Sequence, residues 1–385
     1  MICKLSDIVN TANTGADAIK KAPILNEPTN LRCLRIGDVS QNRDFSMWGY
    51  TKTSKMDYER YKLHKGDSII ARTGNTIGVC TYIEDDIESV YNNGLIRLTA
   101  KKELARERFL FYLIRSTACQ DYIQSIAYGT STQPNMKIKD FLNFDIIVPT
   151  LEIQDKIIAI VDKIEKKIQV NTEINNNLEQ QAQTIYQQMF IDNARSDWAE
   201  GTLSDIADIT MGQSPSGSSY NEDGTGTIFF QGRAEFGFRF PSVRLYTTEP
   251  KRMARSNDTL MSVRAPVGDL NVAHMDCCIG RGLAAIHSKS HHQSFVLYTM
   301  FSLKKQLDVF NGEGTVFGSI NRNSLNDMPI FIPSDDILDE FERIVAPMDL
   351  TIRNNYDENC RLQDIRDTLL PRLMSGELDV SDIDI

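Results

Sequence analysis

The sequence predicts an α+β protein in which two similar globular heads alternate with two long helices. Two observations carry this. The second half of the 385-residue chain repeats the first at an offset of 184 residues, so that Ile146-Ile147-Val148-Pro149 returns as Ile330-Phe331-Ile332-Pro333. Each copy is followed without a gap by an apolar seam that advances in alternating steps of four and three, the spacing of a coiled coil.

The first head is expected over residues 1–150 and the second over 193–334. Strand-like runs in them are Ser68–Ala71, Leu95–Leu98, Ile228–Phe230, Leu260–Val263 and Leu283–Ile286, each short, apolar and rich in β-branched or large side chains. A helical stretch occupies the same place in both, Arg108–Tyr128 and Ser294–Phe310. There Phe109, Tyr112, Leu113 and Phe295, Tyr298, Phe301 fall on apolar faces. The repeat extends into the heads: Leu5-Ser6-Asp7-Ile8 matches Leu203-Ser204-Asp205-Ile206, Gly66–Ile70 matches Asn257–Met261, and Asn93-Gly94-Leu95 matches Arg281-Gly282-Leu283. Between these anchors the sequences diverge, as expected of one scaffold carrying two sets of loops.

The helices are expected over 151–192 and 335–376, followed by an acidic tail, 377–385. The first seam is Ile157, Val161, Ile164, Ile168, Asn171, Asn175, Leu178, Ala182, Ile185 and Met189. Its copy is Phe341, Val345, Met348, Ile352, Asn355, Asn359, Leu362, Arg366, Leu369 and Leu373. Such a helix is marginal alone and needs a partner for its stripe, and the copy is the obvious one. If the two pack antiparallel about a pseudo-twofold axis, opposed residue numbers sum to 530. That sets Asn171 against Asn359 and Asn175 against Asn355, since Asn in an apolar seam is costly unless hydrogen-bonded and is a known device for fixing register. Pro347 falls inside the second pattern and predicts a break or bend near Val345–Pro347. Pro371 predicts a kink or an early end.

The chain has no signal-peptide pattern and no run of about 18 uncharged apolar residues. Its seven scattered cysteines read as reduced cytosolic thiols. The net charge of −10 is unevenly spread. Residues 1–150 carry 20 basic and 17 acidic groups, whereas 336–385 carry 5 and 13. Within the second head, residues 233–264 hold seven basic groups against three acidic ones. Locally basic heads and an acidic spacer are compatible with a polyanion at the heads and a protein along the helices.

Catalytic and cofactor motifs fail one by one. Asp308–Gly314 has the acidic-aromatic-Gly-x-Gly form of the S-adenosylmethionine turn of class I methyltransferases, but it follows a helix rather than a strand, and no Asn-Pro-Pro-Tyr tetrapeptide accompanies it. His274, Cys277, Cys278, His287, His291 and His292 invite a zinc reading, yet adjacent cysteines do not easily share a tetrahedral ion and no paired motif completes the set. Gly212–Gly217 departs from a nucleophile elbow by one place. No cofactor and no metal is expected. What remains are polar loops: Arg72–Thr76 with Arg264-Ala265-Pro266, Gln231-Gly232-Arg233, and Gly129–Asn135 with Gly314–Asn321. Arg, Gln, Asn and Thr are the side chains that pair with base edges and phosphates.

In combination, several segments resemble the specificity subunit of type I restriction-modification systems over essentially the whole chain. They are the duplicated Pro-terminated strand leading into each long helix, Leu369–Leu378, Met211–Gly217, the Gly129–Asn135 loop, and Ser262–Gly268 with its counterpart Ala71–Gly78. The resemblance implies two target-recognition domains, each reading half of a split sequence in double-stranded DNA through the major groove, and two antiparallel spacer helices. It also implies that the helices dock two methyltransferase subunits, that nuclease-translocase subunits can join, and that the chain itself binds no S-adenosylmethionine and cuts nothing. About 50 Å of helix is long enough to set two heads one turn of DNA apart, roughly 34 Å. The expected DNA-contacting residues are Arg72, Thr73, Asn75, Thr132, Gln133 and Asn135 in the first head. In the second they are Gln213, Ser214, Gln231, Arg233, Arg264, Arg281 and Asn321. The alternative is a standalone or fused DNA methyltransferase, disfavoured by the missing tetrapeptide and by the lack of residues for a catalytic domain. A duplicated coiled-coil adaptor would explain the helices but not the basic, divergent heads.

Overall fold

The structure, a computed structural model, describes residues 2–127, 134–264, 266–312, 318–381 and 383. Helices and sheets are mixed throughout, and the chain divides into two compact units, Met1–Gln169 with Glu358–Ile385, and Val170–Asp357.

In the first unit, Val9–Thr14, Leu95–Ala100, Ser68–Ala71 and Cys80–Tyr82 form a four-stranded antiparallel sheet in that order. A second sheet runs Ile24–Leu25, Gly49–Thr51, Arg32–Leu34, Ser89–Tyr91, with the last two strands parallel. Ile2–Lys4 pairs with Asp145–Ile147, so the chain enters the head beside the strand that leaves it for the long helix. The second unit repeats this order. Ala207–Met211, Leu283–Ser288, Thr259–Val263 and Val267–Val272 form the antiparallel sheet. Tyr220–Asn221, Leu245–Thr247, Thr227–Phe230, Cys277–Ile279 and Met253–Ala254 form the mixed one, again with a parallel pair. Ala199–Thr202 pairs with Pro329–Ile332. The helical stretch of each head is divided, into Glu107–Arg115 and Thr117–Ala127 at Ser116, and into Gln293–Ser302 and Lys304–Asp308 at Leu303. Phe109, Tyr112, Phe295 and Tyr298 are core residues at 3% exposure or less.

The first long helix runs Leu151–Tyr186 and widens into a π-turn over Gln187–Asp192. The second runs Asp335–Met374 without interruption. The break expected at Val345–Pro347 is absent. Pro347 lies on the exposed side, where water can solvate the carbonyl that its missing N–H leaves without a helical donor. Pro371 also lies inside the helix, which ends three residues beyond it.

Within each unit the two helices run antiparallel. In the first, Lys167 Nζ meets Glu358 at 3.0 Å and Glu165 meets Arg366 at 3.3 Å, while Ile157 and Val161 share a core with Leu369 and Leu373. In the second, the rings of Tyr186 and Phe190 lie 5.9 and 5.1 Å from that of Phe341. Farther back, Asn355 Nδ2 donates to Asn175 Oδ1 at 2.8 Å and Asn175 Nδ2 to the Ile352 carbonyl at 3.3 Å. The Asn175–Asn355 pair sums to 530, and the bond satisfies an amide that is only 5% exposed in the seam. Asn171, in the same unit, is fully buried, whereas Asn359, in the other, is half-buried.

A buried tyrosine fastens each head to the helices. Tyr112 Oη bonds Asp162, beside an Arg108–Asp162 ion pair of 3.0 Å. Tyr298 Oη donates to Asp349 at 2.9 Å and accepts from Arg239 at 3.0 Å. Arg239, 5% exposed, also approaches Glu179 and Asp349 at 3.2 and 3.4 Å. Burial pushes the Glu179 and Asp349 carboxyls up from their ordinary values, and the Arg239 guanidinium pulls both back down.

Candidate nucleic-acid interface

The parallel strand pair creates a site in each head, because two chain segments leave it side by side and a third is drawn against them. In the second unit the Gly280 N–H donates to Phe230 O at 2.8 Å, which places Gln231 next to Gly280-Arg281-Gly282. The Gln213 N–H reaches Ile279 O at 3.0 Å, the Gly212 N–H reaches Leu283 O at 2.9 Å, and the Val263 N–H reaches Gly282 O at 2.9 Å. Gln213, Gln231, Arg264 and Arg281 therefore converge from four loops, and all four are exposed. No ion-pair partner for Arg264 or Arg281 occurs among the described residues.

The first unit is built by the same bonds. The Asn92 N–H donates to Leu34 O at 3.1 Å, Ala16 N–H to Tyr91 O at 2.8 Å, Gly15 N–H to Leu95 O at 3.3 Å, and Arg72 N–H to Gly94 O at 3.0 Å. Gly15 and Gly212 occupy equivalent places where backbones nearly touch. A Cβ would lie 2.2 Å from Tyr91 O in one and 2.1 Å from Gly280 O in the other, so only glycine fits. This correspondence matches Arg35 with Gln231 and Asn93 with Arg281. Neither Arg35 nor Asn93 was among the expected contact residues. The signal for Asn93 was present in the Asn93-Gly94-Leu95 repeat; none pointed to Arg35, whose neighbours share no sequence with Gln231.

The hydrogen bonds also give the register of the matched turns, the one in which Ser262 stands opposite Ala71. Met136 N–H donates to Arg72 O at 2.8 Å and Ile320 N–H to Val263 O at 3.1 Å, and bridges join Thr73 to Asn135 and Arg264 to Ser319. Arg264 thus occupies the place of Thr73, not of Arg72, whose counterpart is the buried Val263.

Other expected residues have structural duties. Asn321 Oδ1 accepts from the Ser324 N–H at 2.9 Å and caps the helix Arg322–Asn326. Ser214 Oγ accepts from the Arg281 N–H at 3.3 Å and shapes that loop. Arg233 is held in an ion pair with Asp269, which Lys304 also approaches at 3.4 Å. Arg72 Nη2 donates to Asn135 Oδ1 at 3.1 Å, joining two expected residues. Asn75 is exposed on the same turn. Thr132 and Gln133 lie outside the described residues, as do Ala265 and residues 313–317 of the loop that includes Gly314.

Among the described residues Cys277, Cys278, His274 and His287 do not assemble into one site, while His291 and His292 meet at Asp339. Cys277 and Cys278 are fully buried in a strand, and burial pushes the Cys277 thiol up to about 12. His274 bonds Asp357 at 2.6 Å and His287 bonds Asp258 at 2.6 Å. Among the described residues no helix is long and apolar enough to cross a membrane.

Residues 1–180 match the family described as the type I restriction modification DNA specificity domain. A putative type I restriction enzyme MjaX specificity subunit of Methanocaldococcus jannaschii is 28% identical over 98% of this chain and 93% of its own length. The type I restriction enzyme HindI specificity subunit of Haemophilus influenzae is 23% identical over 82% of this chain and 87% of its own. Among solved structures, a type I restriction-modification S subunit from M. genitalium shares the fold, with a TM-score of 0.60 at 14% identity, covering 99% of this chain and 96% of that one. Two glycine-gated loop clusters, on heads joined to paired long helices, define a duplicated recognition scaffold. Over most of its length the chain is similar to the specificity subunits of type I restriction-modification systems.

Proposed function

We propose that the chain recognises a bipartite sequence in double-stranded DNA, one half through each head, and performs no chemistry itself. The observation that carries this is the matched convergence of loops: one backbone frame presents Gln213, Gln231, Arg264 and Arg281 in one unit and Arg35, Thr73 and Asn93 in the other, where the place of Gln213 is taken by the buried Ala16. Different donors and acceptors on one frame are what reading two different half-sites requires. In this reading Arg72, Asn75 and Asn135 flank the first-head cluster, while Arg233, Ser214 and Asn321 act by shaping loops.

Within each unit the long helices pair antiparallel, and the Asn175–Asn355 bond fixes their register in the second. They set the gap between half-sites and dock two methyltransferase subunits, to which nuclease-translocase subunits add. The exposed apolar Ile174, Leu350 and Ile365 on these helices support a protein partner there. The complex works in the cytoplasm, where its DNA is.

The test is a salt-dependent shift of duplex DNA by the full chain, with and without the methyltransferase. Binding whose affinity falls steeply with salt supports the reading, whereas methyl transfer by the chain alone would establish the enzyme alternative.

Replacing Arg264 by Ala is expected to cost about 1–3 kcal/mol of binding and to relax one position of the target, if the guanidinium reads a base. If it holds a phosphate instead, all sequences weaken alike and the salt slope falls by about one. Wild-type affinity and slope in this variant would remove Arg264 from the interface.

A further inference from the structure

The joint between each head and its long helix is built twice, with different chemistry. In the first unit Arg106 occupies the N-cap of the helix Glu107–Arg115 and grips Asp155 with Nε and Nη2, both at 2.8 Å. In the second unit His292 occupies the N-cap of Gln293–Ser302. Its Nε2 and that of His291 reach the same oxygen of Asp339, at 2.9 and 2.8 Å. Asp155 and Asp339 are separated by the offset of 184, and each is the fifth residue of its long helix. A permanent cation therefore closes one joint, while the other has two imidazoles, which carry charge only when protonated.

We propose that His291, His292 and Asp339 hold a divalent transition ion of the zinc class, which supplies the positive charge that Arg106 supplies in the first unit. The three ligand atoms lie within 4.8 Å of one another. A tetrahedral zinc with bonds near 2.1 Å sets its donors about 3.4 Å apart, so small side-chain movements bring them into place. The ring of His292 is 3% exposed and already oriented, because its Nδ1 bonds Ser290 Oγ at 2.8 Å, as outer hydrogen bonds orient metal-bound imidazoles. Two imidazoles and one carboxylate suit zinc, cobalt or nickel and disfavour magnesium and calcium, which take oxygen ligands. His291 is exposed, so the remaining position opens to solvent. An ion here replaces the two Nε2 protons and pins the head to its helix.

The test uses the full chain after chelator treatment, titrated calorimetrically with Zn2+ and, in parallel, with Co2+ followed by its absorption. One Zn2+ per chain is expected, with a raised unfolding temperature. Asp339→Asn and His292→Gln should weaken binding at least tenfold. His292→Arg re-creates the joint of the first unit. It should keep the unfolding temperature of the zinc-loaded protein and lose the response to Zn2+, which separates loss of a site from loss of fold. Zn2+ binding that survives Asp339→Asn overturns the proposal. So does a wild-type chain that ignores Zn2+ and gains stability only on acidification, which would make the joint a proton site.

Discussion

Exchanging residues 1–150 for the corresponding head of another such subunit is expected to change one half of the recognised sequence and nothing else. Each head carries its own two sheets, its own loop cluster and its own entry-and-exit strand pair, Ile2–Lys4 with Asp145–Ile147 and Ala199–Thr202 with Pro329–Ile332. In the proposed reading the helices set the gap length, and the exchange leaves them alone. Specificity for a half-site amounts to several base pairs at about 1–3 kcal/mol each, so the effect is a complete change of preference rather than a shift in affinity. The check is a binding selection from randomised duplexes with both proteins. If both half-sites changed together, the heads would not be independent readers.

The largest expected effect on stability comes from Arg239. It is buried between its head and both long helices, with Tyr298, Glu179 and Asp349 as partners. Removing it by Arg239→Ala leaves two buried carboxylates without their cation, a loss of about 3–5 kcal/mol. Arg233→Ala is the comparison, since that ion pair is about half-exposed and should contribute roughly 0–1 kcal/mol. The two tryptophans fall one in each unit, Trp48 and Trp198. In a Trp48→Phe background, denaturant unfolding followed by Trp198 fluorescence therefore reports the second unit. A midpoint for Arg239→Ala equal to that of Arg233→Ala would show that the buried network adds little.

The parts of the fold legible in the sequence were those with apolar periodicity. The helix seams and the strands Ser68–Ala71, Thr259–Val263 and Leu283–Ser288 have patterns fixed by burial, and burial repeats at the offset of the duplication. Pro347 was misleading because its helix-breaking tendency is local, whereas the packing of Phe341, Val345 and Ile352 in the second unit's core continues across it. The site was legible only where a polar residue adjoined an apolar anchor, as Arg281 and Asn93 adjoin Gly282-Leu283 and Gly94-Leu95. The correspondence of Arg35 with Gln231 depended on backbone hydrogen bonds between strands distant in sequence, which no local pattern encodes. The capping role of Asn321 was equally hidden, because an N-cap and a base-reading amide have the same composition.

The central claim is that this chain selects DNA for a partner that modifies it. Mapping methylated bases across the genome of a cell expressing the chain with its methyltransferase tests this most directly. The account predicts a single motif of two defined halves at a fixed gap, with one half altered when Gln231 and Arg281 are replaced together. Methylation at a continuous motif, or an unchanged motif in that double variant, would contradict it.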